Sequence, residues 1–124
     1  MREILFRGKD IANNWHYGVP LVFTEDYVCM TAPHTYNKKV EANTVGQYTG
    51  LTDKNGKKIF EGDIMPVYEQ GEEYYYKVVY NGDCFMLAMF DSEQGSYPLS
   101  AKNAISEVIG NIHDNPELLK GGEQ

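Results

Sequence analysis

A chain of 124 residues fits one compact domain or two small packed halves, and it can bury a core without disulfide staples. Hydrophobic residues make up 42% and charged residues 23%, which suits a globular protein and excludes a low-complexity chain. The net charge of −7 sits in residues 63–124, which carry −8 against +1 for residues 1–62, so general affinity for nucleic-acid backbones is not expected.

The chain opens on MREILFRGKD, whose apolar run is too short for a secretory signal. Short apolar-rich runs then alternate with turn signals. They are EILF (3–6), WHYGVPLVF (15–23), DYVCMT (26–31), KIF (58–60), DIMPVYE (63–69), EYYYKVVY (73–80), CFMLAMF (84–90) and EVIGNI (107–112). Strands of this length and spacing predict an all-β fold, a sandwich or a small barrel. None of the runs is long enough to span a membrane. Ten of the sixteen aromatic residues are tyrosine, a residue suited to strands and half-buried surfaces.

The segment VGQYTGLTDKNGKKIFEGD (45–63) concentrates glycine, lysine and carboxylates, as a ligand site would. It nevertheless lacks the spacing of a phosphate-binding loop. Five residues separate Gly50 from Gly56, Lys57 precedes Lys58 in place of Ser or Thr, and no helical pattern follows. A calcium loop starting at Asp53 fails as well, because Gly56 falls at its fourth position and no Glu occupies the twelfth. The segment is therefore read as structural, with Asn55-Gly56 at a hairpin tip. Asn81-Gly82 has the same chemistry between stronger strands. A type I′ turn at either site would place both residues at positive φ. Glu61 and Asp63 lie two apart and would share one face of an extended segment, where a cation or amine could bind. A turn or cap role is the simpler reading.

Along 74–80, Tyr74, Tyr76, Val78 and Tyr80 alternate with Tyr75, Lys77 and Val79. Tyrosine on both faces leaves Tyr75 and its neighbours for a partner or a second copy of the chain. Pro66 predicts an edge or a break in the 63–69 strand. Glu69, Glu72 and Glu73 enter the tyrosine strand, and Asp91 and Glu93 follow the next one. Together they predict an acidic rim able to attract a basic protein. Helix is confined to single turns at 100–108 and 115–119. Cys29 and Cys84 are read as free thiols, with Cys84 in the core. His16, His34 and His113 have no metal-ligand spacing, and no nucleophile, base and oxyanion donor come together. No catalytic residue, metal or cofactor is expected.

ILFRGK (4–9) with WHYG (15–18), TVGQYTGLTDKNGKKIFEGDI (44–64) and EVIGNIHDNPELL (107–119) resemble the YopX family of phage and prophage proteins. The resemblance implies a mostly β protein whose C-terminal part is an SH3-like barrel. The expected division is a β-rich half over 1–60, the barrel half packed on it over 61–119, and a disordered tail at 120–124. The resemblance also implies a phage-derived gene acting in a bacterial cytoplasm, and it brings no established activity. The expected function is a non-enzymatic accessory protein that binds a protein partner or itself. The alternative is a nucleic-acid-associated small barrel that uses Lys38, Lys39, Lys54, Lys57 and Lys58.

Overall fold

The computed structural model describes residues 4–31, 37–89 and 95–121. Its described strands form two antiparallel sheets with little helix, and no closed barrel is detected among them. The first sheet has six strands in the order β4-β3-β2-β1-β5-β6, and the second has five in the order β10-β9-β8-β7-β11. Their ranges follow with the two compact units of the chain, Met1–Tyr48 and Thr49–Gln124.

In the first unit, β1 (Phe6–Lys9), β2 (Trp15–Phe23), β3 (Tyr27–Thr31) and β4 (Lys38–Glu41) follow one another as antiparallel neighbours. Its core is small. Val28, Met30 and Val40 are buried, with Phe6, Ala42 and Val45 packed against them. Gly8 allows this closure, because a Cβ there would lie 2.6 Å from Val40 Cγ2. On the same strand Arg7 and Lys9, each only 6% exposed, flank the single tryptophan. The Arg7 guanidinium carbon is 4.6 Å and the Lys9 Nζ 5.4 Å from the centre of the Trp15 ring. Such cation–ring contacts offset part of the cost of burying charge. The apolar end of β2 is not core. Past a bulge between Pro20 and Val22, residues Leu21, Val22 and Phe23 remain exposed.

In the second unit, β5 (Gly46–Thr52, which begins in the first unit) leads through a tight turn to β6 (Lys58–Phe60). Then come β7 (Asp63–Glu69), β8 (Glu72–Tyr80), β9 (Phe85–Ala88) and β10 (Tyr97–Pro98). Two short 3-10 turns, Leu99–Ala101 and Asn103–Ile105, precede β11 (Gly110–Asn111) and α1 (Glu117–Gly121). Alternate residues Met65, Val67, Tyr76, Val78, Phe85 and Leu87 point into one core with Ile59 and Leu99. This is the period-2 pattern of half-buried strands. β7 runs unbroken through Pro66, which lies beyond the short pairing of β11 with Asp63 and Ile64. Its missing N–H is thus at an edge.

The turns differ from expectation in one consistent way. Only the glycines of the two Asn-Gly pairs have positive φ, +83° at Gly56 and +101° at Gly82, so neither site is a type I′ turn. At 53–57 the loop is three residues long. The Gly56 amide bonds to Asp53 O at 3.0 Å and the Asp53 amide to Lys57 O at 2.8 Å, a type I turn closed by a left-handed residue. At 81–84 Gly82 takes the first central place, and Asn81 Oδ1 accepts the Asp83 and Cys84 amides at 3.1 Å. The residue pair with positive φ at both places is Gln70-Gly71, +53° and +84°, between β7 and β8. Cys84 is exposed, contrary to its expected burial, because it closes the turn and the strand starts one residue later. Both cysteines are free thiols.

Candidate functional site

The type I′ turn at Gln70-Gly71 sets Glu69 opposite Glu72 and Tyr68 opposite Glu73 in the β7–β8 register. Two like charges facing each other across a hairpin end are unfavourable unless something shares their charge. Tyrosine hydroxyls do so here. Tyr76 donates to Glu69 Oε1 at 2.9 Å, and Tyr74 to Glu72 Oε2 at 3.3 Å. Glu73 lies beside the Tyr68 and Tyr75 hydroxyls and acts on both. Every one of these phenols is held above its ordinary pKa. For Tyr76, 3% exposed, burial acts first and the Glu69 bond second, pushing it up to about 12. For Tyr68 and Tyr75 the cause is the bond to Glu73, and for Tyr74 the charge of Glu72. The result is an ordered, negatively charged hairpin end with Tyr68 standing 71% exposed.

A cleft of about 190 Å³ opens beside it. Pro66, Val67 and Ile105 give it an apolar side, Tyr68 a wall, and Lys54, Lys102, Glu73 and Glu107 its charges. The segment 45–63 contributes Lys54 to one side of this cleft. Asp53 Oδ1 accepts the Asn55 and Lys57 amides, while its Oδ2 accepts the Val108 amide, all at 2.9 Å. Burial alone would raise the Asp53 pKa, but these N–H donors outweigh it and hold the carboxyl below its usual 3.8. Lys54 N donates to Ser106 O at 2.9 Å and Asn55 Nδ2 to Glu107 Oε1 at 3.0 Å. Ser106 Oγ in turn donates to Pro66 O at 2.6 Å. Glycine, lysine and carboxylate in 45–63 thus turn the chain and brace 103–108.

Of the residues expected at a partner surface, Glu69 and Glu72 share one face of the β7–β8 hairpin, and Glu73 and Tyr75 lie on the other. Asp91 and Glu93 lie outside the described residues, as does His34. Asp63 is 1% exposed, and its Oδ2 accepts the Phe60 amide at 2.7 Å, so it caps the turn before β7. Among the described residues no three His, Cys, Asp or Glu side chains are placed to hold a metal. The five lysines divide between the units, Lys38 and Lys39 on β4 of the first and Lys54, Lys57 and Lys58 in the second. No helix among the described residues is long and apolar enough to cross a membrane. Sequence reasoning missed Tyr68 and the 102–107 wall. Tyr68 was signalled only by its place one residue before Glu69, and the wall by nothing local.

A mainly β chain with this pair of sheets matches a known class. The family model described as YopX protein matches residues 5–120, and the chain belongs to that family. Among solved structures it is similar to one described as the crystal structure of protein EF1440 from Enterococcus faecalis. The two are 25% identical, the match covers 96% of this chain and 99% of that one, and the TM-score is 0.61. No curated protein matches.

Proposed function

We propose that this YopX-family chain is a non-enzymatic, phage-derived accessory protein that binds a protein partner in the bacterial cytoplasm. It does so through the tyrosine–glutamate end of β7–β8 and the adjoining cleft. The observation that carries this reading is the order imposed on the charge. The hydroxyls of Tyr76 and Tyr74 hold Glu69 and Glu72, and Glu73 stands beside Tyr75 and the exposed Tyr68, so less side-chain entropy is left to lose on binding. Rigid tyrosines of this kind are favoured at interfaces. The cleft residues, among those described, include neither histidine nor cysteine, and its serine hydroxyl is already given to Pro66 O. Support for an SH3-like arrangement comes from connectivity. β7 to β10 form a meander, two 3-10 turns follow, and β11 returns beside β7. Self-association through the same tyrosines is the homotypic form of this reading, and light scattering at high concentration separates it from a foreign partner.

The test is charge reversal of Glu72 and Glu73 to lysine, with proteins recovered from the bacterial host on immobilised native and variant chains. Recovery by the native chain should fall with salt and be lost in the variant. Equal recovery and equal salt dependence would remove the site from recognition. The nucleic-acid alternative rests on Lys54, Lys57 and Lys58 near one hairpin tip, and retention of single-stranded oligonucleotides by the native chain would favour it.

A further inference from the structure

The first unit carries a second concavity, with no residue in common with the first. A groove of about 580 Å³ lies among the β1–β2 turn, the start of β3 and the end of β4. This is within the range of pockets that engulf small ligands or single anchoring side chains. Its apolar surface comes from Ile11, Ala12 and Tyr27, with Val40 buried beneath them, and its charges from Asp10, Asp26, Glu41 and Lys39. Ile11 is 92% exposed, which leaves a large aliphatic side chain at the lip.

The charges decide which occupant fits. Asp26 and Glu41 are exposed carboxylates. Asp10 is locked in place, accepting the Ala12 and Asn14 amides at 2.9 Å and lying 2.7 Å from His16 Nε2. Against these three stands one cation. Lys39 Nζ sits 4.2 Å from the centre of the Tyr27 ring, showing that this ring face accepts a cation and that the chain's own lysine already occupies it. An apolar floor with an aromatic face and an excess of carboxylates complements an apolar side chain flanked by basic ones. It disfavours an anion.

We propose that this groove docks a short segment of a partner protein in which an aliphatic residue is flanked by Arg or Lys, with Lys39 holding the Tyr27 face until the incoming cation displaces it. The two charge effects have opposite signs. Removing Asp26 and Glu41 weakens docking, whereas removing Lys39 strengthens it by clearing the ring and deepening the negative field.

The experiment is selection of a displayed pool of random short peptides on the immobilised full chain. The native chain should enrich peptides with Arg or Lys beside an aliphatic residue, and Asp26→Lys with Glu41→Lys should abolish that enrichment. For an enriched peptide made with a fluorescent label, the double variant should weaken binding at least tenfold. Lys39→Ala should tighten it several-fold. Glu72→Lys with Glu73→Lys should leave it unchanged, which separates failure here from failure of the β7–β8 site. Circular dichroism establishes that the exposed-site variants are folded. No enrichment, enrichment without basic residues, enrichment that survives the double variant, or preferred binding of an oligonucleotide would each overturn the proposal.

Discussion

Two hairpin tips, Asp10–Asn14 in the first unit and Asp53–Lys57 in the second, have the same backbone and opposite surroundings. In each, the amide of the fourth residue bonds to the aspartate carbonyl, and the aspartate amide bonds to the fifth residue's carbonyl. In each, one carboxylate oxygen accepts the third and fifth amides at 2.9 Å. The fourth residue is left-handed in both, Asn13 at +74° and Gly56 at +83°. The tips part at the second oxygen. That of Asp10 meets an imidazole on the neighbouring strand, His16, whereas that of Asp53 meets the Val108 amide, 55 residues away. One turn motif therefore serves as a local clasp in one place and as a tertiary anchor in the other. The difference comes from what lies beyond the turn.

The comparison breaks most visibly by removing each carboxylate. Asp53→Ala strips three backbone N–H groups of a charged acceptor in a site 5% exposed, and should cost about 3 kcal/mol or more in urea unfolding. Asp10→Ala removes bonds that water can replace and should move the urea midpoint far less. Equal losses would mean that the contact to Val108 anchors nothing. Backbone strain comes next in size. Gly56→Val and Gly82→Val each force a β-branched residue to positive φ where a Cβ meets nothing within 4 Å, so the cost is strain alone, about 1 kcal/mol or more.

Acid sharpens the contrast further. The His16 bond, followed by the Asn14 amide, holds the Asp10 carboxyl at about 2, and Asp53 is also lowered from 3.8. Both groups bind protons more weakly folded than unfolded. Their stabilisation is therefore present above about pH 4 and lost as the pH falls toward 2. Melting temperatures followed down that range should drop, and Asp10→Asn, which removes the larger shift, should flatten the drop more than Asp53→Asn. The smallest effect belongs to His16→Gln, which loosens the first clasp without touching a core. Carbon-detected NMR should show the Asp10 carboxyl titrating closer to 3.8 in that variant, with global stability little changed.

Much of this fold is legible residue by residue. WHYGVPLVF, KIF and DIMPVYE coincide with β2, β6 and β7, since their apolar density or alternation needs no outside help. KKVE gives no such sign, having one apolar side chain. It becomes β4 because β3 offers it a ladder and Val40 closes over Gly8. GQYTGLT lacks alternation and becomes β5 through its neighbours. The Asn-Gly pairs marked hairpins correctly, but loop length, which depends on the strands, set the turn type. At the site, glutamate spacing was visible in the sequence. The hydroxyls that Glu69 and Glu72 receive and the wall from 102–107 were not, because register and long-range closure place them.

The position of Trp15 between Arg7 and Lys9 has an optical consequence. As the single indole in the chain, excited at wavelengths where tyrosine is transparent, it emits from the first unit alone. Its red shift in denaturant therefore times the loss of that unit, while far-ultraviolet dichroism sums over both. Coincident curves would make the chain one cooperative species, and separated curves would assign each midpoint to its own unit without any label.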